Sequence, residues 1–380
     1  MKMIKSEVPS NCPKGVVASV SAKVGDVMQA NVPGELPRGE RQVINTKRTL
    51  KFSSDDGMDE LYSVMQQAKA NNSYVRDIKT SPDPAIVIAS DGQLDDLVRF
   101  CAPLAGVESC AMTVGPTFNL GEFECTPTTY RHLMVQTRRY KTYPVFVGPI
   151  LIHYRKNFST FLHFSSALVA LRKDLQYLRV FGSDGEKALI NAFMHEFRFA
   201  IHLHCSIHAR NNIKKNLRER RLPELVVNEI TDEIFGKQVG SSYVEGLVDA
   251  ESEEIFYKQL EERKVQWDRI EKENPGCVSG FYEWFNEHKC EEIVSGMLSP
   301  VREDAGLGVP PSAFTTNVSE SITAMLKRKV NYKKSELVAF IQHLKELIDE
   351  QQRELERAVI RRGKYEFREE YKFLEVDEAT

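Results

Sequence analysis

The stretch Leu178-Arg-Val-Phe-Gly-Ser-Asp-Gly-Glu-Lys-Ala-Leu-Ile-Asn-Ala-Phe193 joins a short β-type run to a helical run and sets one carboxylate, Asp184, at the junction. The helix start has its own chemistry. Ser183 followed three residues later by Glu186 reads as a capping box, each side chain satisfying a backbone N–H of the first turn. Neither task uses Asp184, so its carboxylate is left near the carboxyl end of a strand, the edge where α/β sheets hold ligands. A plainer role also fits, because an acid at a helix start is favoured by the positive end of the helix dipole.

Outward from this junction the chain alternates. Ala85-Ile-Val-Ile-Ala89 reads as a strand and residues 93–100 as a helix. Three strand-like segments follow, 111–118, 122–134 and 145–154, the first two joined by the turn signal Asn119-Leu120-Gly121. Residues 158–178 are apolar enough for a buried helix, the helix after Asp184 runs to about Phe197, and a strand covers about 199–204. Three β elements, a helix, a strand, a helix and a strand make an α/β domain with a mixed sheet flanked by helices.

Residues 1–53 carry Pro9, Pro13, Pro33 and Pro37 without periodicity and read as a loosely ordered arm, followed by a short helix at about 59–70. From 222 to 296 the chain turns acidic and helical, with one break at Asn274-Pro-Gly276, as an inserted α-helical subdomain. A proline-bearing linker then leads to a helix near Asn317. Beyond Lys333, Leu337, Ile341, Leu344, Ile348, Leu355 and Val359 recur at helical spacing, a face for packing on the core or for a homo-oligomer. The expected divisions are therefore 1–80, 81–221, 222–298, 299–332 and 333–380.

With 380 residues, 42% of them hydrophobic and 28% charged, the chain has the composition of a soluble multi-domain protein. A net charge of −3 argues against a uniformly basic nucleic-acid binder, so DNA contact would have to come from local clusters at 131–141, 214–221 and 327–329. Seven scattered cysteines do not form a secreted disulfide framework and point to a reducing compartment. The most apolar run, 144–152, is broken by Gly148-Pro149 and is too short for a bilayer span, so no membrane partner is expected.

Glu320, in Thr315-Thr-Asn-Val-Ser-Glu-Ser321, falls in the first turn of the later helix, where Asn317 would cap and Glu320 would complete a second capping box. Taken with Asp184, it gives one acid at a strand end and one on a later helix, separated by a helical insertion. Thr117-Phe-Asn-Leu-Gly121 with Thr126-x-x-Thr-Tyr-Arg131, then Gly182-Ser-Asp-Gly-Glu186, then Cys205-x-x-His208 followed by Asn211 and Asn212, then Asn317-x-x-Glu320-Ser321 resemble, in this order, the Mutator-like (MULE) transposase domain. The likeness covers roughly residues 85–330.

The resemblance implies a ribonuclease H-like fold, a nuclear protein, DNA as partner, and three acids holding two Mg²⁺ or Mn²⁺ ions for DNA strand cleavage and transfer. Such ions sit about 3.5–4 Å apart and need hard oxygen ligands, one of which bridges them. In the family that bridging acid stands two residues before the Thr-Phe, and here the position is Gly115. Asp184 and Glu320 are the metal ligands that remain, and Glu122 and Glu124 are the nearest substitute acids. The expected activity is DNA binding through Arg138, Arg139, Lys214, Lys215 and Lys327 with impaired cleavage. The alternatives are an active two-metal nuclease using a substitute acid and a protein-interaction scaffold built on the last helix. Cys205 and His208 are an incomplete zinc set, since structural zinc wants four ligands; packing and hydrogen bonding beside the acids is the expected role. Only Cys12 precedes the likeness and no cysteine follows Cys290, so the zinc modules that often flank such domains are not in evidence.

Overall fold

The computed structural model describes residues 41–42, 56–71, 74–104, 106–115, 118–119, 122–329 and 336–376. The arm expected at 1–53 lies outside these apart from two residues, as do Leu120 and Gly121 of the expected turn. The chain divides into two compact units, Met1–Gln66 and Gln67–Thr380. The described part of the first is chiefly the start of helix α1 (Asp56–Asn71).

The second unit is α/β. Strands β1 (Val75–Lys79), β2 (Ala85–Ile88), β3 (Met112–Val114), β5 (Glu124–Arg131), β7 (Val145–His153), β8 (Val180–Ser183) and β9 (Ile201–His204) form one mixed sheet in the order β1-β2-β7-β5-β3-β8-β9. The short β4 (Phe118–Asn119) pairs with β5. The pairs β1/β2, β2/β7, β7/β5 and β5/β3 are antiparallel, whereas β3/β8 and β8/β9 are parallel. The chain thus leaves β3 towards one side of the sheet first and returns to fill the other side later. β1 starts the sheet at Val75, before the boundary expected at 80.

Local chemistry sets the flanking helices. Helix α2 (Asp91–Cys101) opens on a reciprocal box in which Ser90 Oγ accepts the Gln93 N–H and Gln93 Oε1 accepts the Ser90 N–H. The Gln93 amide also donates to Val147 O and Gly148 O at 2.8 and 3.0 Å, docking the cap on β7. Helix α3 (Phe158–Leu171) starts on Asn157, whose side chain accepts the Thr160 N–H at 2.8 Å. With α4 (Lys187–Glu196), these helices cover one face of the sheet through Leu94, Leu97, Phe161, Phe164, Leu168 and Phe193. Strand β7 is buried along nearly its whole length, as a strand covered on both faces must be.

After β9 a second apolar cluster runs from Ala209 to Leu298, around Trp267, Phe281 and Phe285. Its helices are α5 (Ser206–Glu219), α6 (Glu224–Phe235), α7 (Glu253–Glu273), α8 (Phe281–His288) and α9 (Cys290–Gly296). Helix α5 shares this cluster through Ala209, Ile213 and Leu217, upstream of the expected start at 222. The stretch also contains a two-stranded hairpin, β10 (Lys237–Val239) with β11 (Ser242–Val244), separate from the main sheet.

Helix α10 (Ser299–Asp304) leads to α11 (Asn317–Lys329), and α12 (Leu337–Val359) follows. The expected oligomer face of α12 is already covered: Leu337, Phe340, Ile341, Leu344, Leu347 and Ile348 are buried. Gln351 accepts the Val147 N–H at 3.0 Å and donates to Val145 O at 3.1 Å, replacing a missing ladder partner on β7. The segment does not end as a helix, since β12 (Tyr365–Phe367) pairs with β6 (Val135–Thr137). Among the described residues, no helix is long and apolar enough to cross a membrane.

Candidate functional site at the carboxyl edge of the sheet

Strand register decides what meets here. Thr113 lies level with Gly182, and Ser183 with His204. Two steps further along β3, and one along β8 and β9, Gly115, Asp184 and Cys205 stand side by side at the carboxyl ends of three neighbouring parallel strands. The Gly115 N–H still donates to Pro127 O at 2.8 Å, and the Cys205 N–H to Ser183 O at 3.0 Å, so both residues continue the ladder. This edge, where the strand order reverses between β3, followed by β5 on one side, and β8, followed by β9 on the other, is the usual ligand position of an open α/β sheet.

Helix α11 closes over the edge. Ser319, fully buried, shares a 2.8 Å hydrogen bond with Thr129 Oγ on β5 and lies against Gly115. Its neighbour Glu320 is exposed, with Oε1 3.6 Å from His208 Nε2. The Cys-x-x-His element acts as a clamp on the start of this helix. Cys205 Sγ accepts from the Thr316 N–H at 3.3 Å and from Thr316 Oγ at 3.2 Å, and His208 Nδ1 lies 3.3 Å from the same hydroxyl. Ser206 adds its N–H and Oγ, both donating to Phe314 O at 2.9 Å. Gly182 makes room for this crossing, because a Cβ there would lie 2.0 Å from the Phe314 ring.

Neither expected capping box forms. Ser183 is buried at the end of β8 with Oγ 2.9 Å from His202 Nε2, and α4 starts only at Lys187, with no side-chain cap. The turn between them uses Gly185 at φ 100°, a conformation that suits glycine. At α11 the Glu320 N–H donates to Thr316 O at 3.0 Å, so the first turn closes on Thr316 and not on Asn317. Asp184, half-buried, is thus left with no capping task. Behind it, burial and then the neighbouring His204 depress His202 to about 3, so the imidazole hydrogen-bonded to Ser183 is neutral.

The structure therefore brings together Gly115, Asp184, Cys205, His208 and, through α11, Glu320. It does not bring the basic residues with them. β5 runs antiparallel to β3, so the connection after Arg131 leaves from the opposite edge of the sheet. Arg138 sits there, donating Nε to Gly363 O at 3.1 Å and facing Glu366 at 3.6 Å, while the Arg139 guanidinium stacks on Tyr140. Lys214 donates to Asn228 Oδ1 at 2.7 Å, and Lys215 is exposed, 3.9 Å from Glu219. Both lie on α5, about 10 Å along the helix from His208 at 1.5 Å per residue. Lys327 is near the far end of α11.

A two-ion site does not fit the residues present. Gly115 has no ligand atom, and a Cβ there would come within 3.2 Å of Pro127 Cγ and O and 3.3 Å of Ser319 Cβ. Glu124 is drawn towards Lys156 beyond the end of β7, at 3.5 Å. Among the described residues, no group of three His, Cys, Asp or Glu side chains could hold a metal ion. A cavity of about 580 Å³ shares His204, Ser206 and Phe314 with this region and is otherwise lined by the helical unit and the α10–α11 linker; neither Asp184 nor Glu320 faces it. Comparison of the sequence with models of known protein families and with characterised proteins finds no match.

Proposed function

We propose that the chain is a ribonuclease H-like protein of the Mutator-like transposase type, nuclear, that binds DNA and is impaired in cutting it. The observation that carries this reading is convergence. Four stretches far apart in sequence, ending on Gly115, Asp184, Cys205 to His208, and Thr316 to Glu320, meet at one sheet edge, in the chain order and on the kinds of element a transposase of that type would use. The order of three antiparallel strands followed by two parallel ones supports the same fold.

Impairment follows from the donor set. Two carboxylates can attract a divalent cation, but without an acid on β3 neither can be paired with a bridging ligand between two ions. Mg²⁺ or Mn²⁺ binding is accordingly weak, and Cys205 and His208 serve as the clamp on α11 rather than as zinc ligands. The scaffold alternative has less support, because the apolar face of α12 is buried.

DNA on this reading follows α5 and α11 away from the edge, past Lys215 and Lys327, and not past Arg138. Fluorescence anisotropy on a labelled duplex over a salt series tests it. Lys215→Ala and Lys327→Ala should each lower the slope of log affinity against log salt by about 1, with Arg139→Ala unchanged. Absence of binding at low salt would overturn the DNA reading, and metal-dependent nicking of supercoiled plasmid by the unmodified chain, abolished by Asp184→Asn, would restore the nuclease alternative.

A further inference from the structure

We propose that Cys101 and Cys110 form a thiol–disulfide exchange site, which a small-molecule disulfide such as oxidised glutathione converts to an intramolecular disulfide. The two sulfurs lie 3.7 Å apart in a mutual hydrogen bond, although eight residues separate them in sequence. Their backbones are already held side by side, since the Cys110 N–H donates to Phe100 O at 2.9 Å. Closing the bond then needs side-chain rotation rather than movement of the chain.

The two thiols are not equivalent. Cys101, the last residue of α2, is fully buried, and Cys110, just before β3, is half-buried. The hydrogen bond from Cys101, followed by the Arg131 backbone contact, lowers the Cys110 thiol below its ordinary range against the effect of burial; burial drives that of Cys101 up. Cys110 is therefore the entering nucleophile and Cys101 the resolving one. The Cys110 thiolate attacks one sulfur of glutathione disulfide, breaking its S–S bond and releasing one glutathione thiolate. Cys101 then attacks the Cys110 sulfur of the mixed disulfide, and its proton goes to the second departing glutathione thiolate. Two protein thiols are oxidised, and one glutathione disulfide is reduced to two thiols. The product staples the end of α2 to the entry of β3, the strand that leads to Gly115.

The test incubates the full reduced chain, folded, in glutathione buffers of graded redox ratio, then quenches with N-ethylmaleimide and maps peptides by mass spectrometry. The expected result is a Cys101–Cys110 cross-linked peptide lighter by two hydrogens, with Cys125 and Cys205 still reduced. Cys101→Ser should trap glutathione on Cys110, and Cys110→Ser should leave Cys101 unmodified. Full alkylation of both cysteines at every ratio that oxidises any other cysteine of the chain would overturn the proposal, as would glutathione captured first by Cys101 in the Cys110→Ser form. The mapping of the unmodified chain decides the matter even if a variant fails to fold.

Discussion

Replacing Gly115 by aspartate tests the emptiness of the first ligand position in both stability and metal binding. The backbone there is outside the left-handed region, so the cost arises from neighbours: the new Cβ meets Pro127 Cγ and O at 3.2 Å and Ser319 Cβ at 3.3 Å. Overpacking of this kind costs about 1–3 kcal/mol, and an unpaired buried polar group adds about 1–3 kcal/mol. The metal-free variant should lose about 3 kcal/mol, or about 1 M in urea midpoint for an m-value near 3 kcal/mol/M. On the proposed reading a third carboxylate completes the acid set of Asp184 and Glu320, so Mn²⁺ should return much of the loss. At a hundred times its dissociation constant a ligand stabilises by about 2.7 kcal/mol. The assay is urea unfolding followed by tryptophan fluorescence, in EDTA and in graded Mn²⁺, for the unmodified chain and Gly115→Asp, with Gly115→Asn as the uncharged control of similar size. If the unmodified chain gains the same Mn²⁺-dependent stability, a third ligand is already in place and the donor-set argument is wrong. If Gly115→Asp in EDTA is as stable as the unmodified chain, the claim that Ser319 and Pro127 have closed in fails.

Four further outcomes are expected. Lowering pH from 7 to 5 should cost about 2 kcal/mol for each of three buried histidines, because burial holds His132 and His153 at about 4 and His202 at about 3, and stability present above pH 6.5 is lost as each takes up its proton on unfolding. Asp96, raised to about 6 by burial, has the opposite sign and regains about 1 kcal/mol over that interval, so Asp96→Asn should steepen the fall in urea midpoints while stabilising the protein at pH 7. Gly182→Ala should displace the Phe314 ring and cost about 2 kcal/mol of lost burial, read from the thermal midpoint. Thr316→Val keeps the N–H bond to Cys205 but removes the hydroxyl shared by Cys205 and His208; it should cost about 1 kcal/mol and raise hydrogen exchange in the first turn of α11.

How much of this could be read beforehand depended on the range of the interaction. Alternating and continuous apolar runs placed β2, β7, β8 and β9 within a few residues, because burial is written in local periodicity. The Ser183-x-x-Glu186 pattern misled for the converse reason: it matches a capping box locally, but the hydroxyl is within reach of His202, and that buried imidazole takes it. The basic run at 131–141 looks the same whether its charges are free or paired, and the partner of Arg138, Glu366, arrives only with the last strand. Ala209, Ile213 and Leu217 carry a readable spacing of four, which points α5 at the helical cluster. Nothing in an eight-residue gap announces that Cys101 and Cys110 touch.

Gly115 combines both kinds of signal. On the proposed transposase reading it is a missing carboxylate, which by itself leaves two physical states open: an empty ligand position waiting for an acid, or a position the fold has repacked. The choice between them rests on residues that no local pattern connects to it. Pro127 supplies the carbonyl that accepts the Gly115 N–H, and Ser319 reaches across to Thr129 and rests its Cβ where a side chain would begin. Because Ser319 precedes Glu320 on the same helical turn, any side chain at 115 that pushes Ser319 outward also moves Glu320. Positions 115 and 320 are therefore mechanically coupled through one serine. Ser319→Gly, which removes the 3.3 Å contact with the Ser319 Cβ, should recover stability in the Gly115→Asp background by more than its effect in the unmodified chain. Such non-additivity is expected of residues in direct contact, and a double-mutant cycle whose four urea midpoints add independently would show that Ser319 does not guard the position.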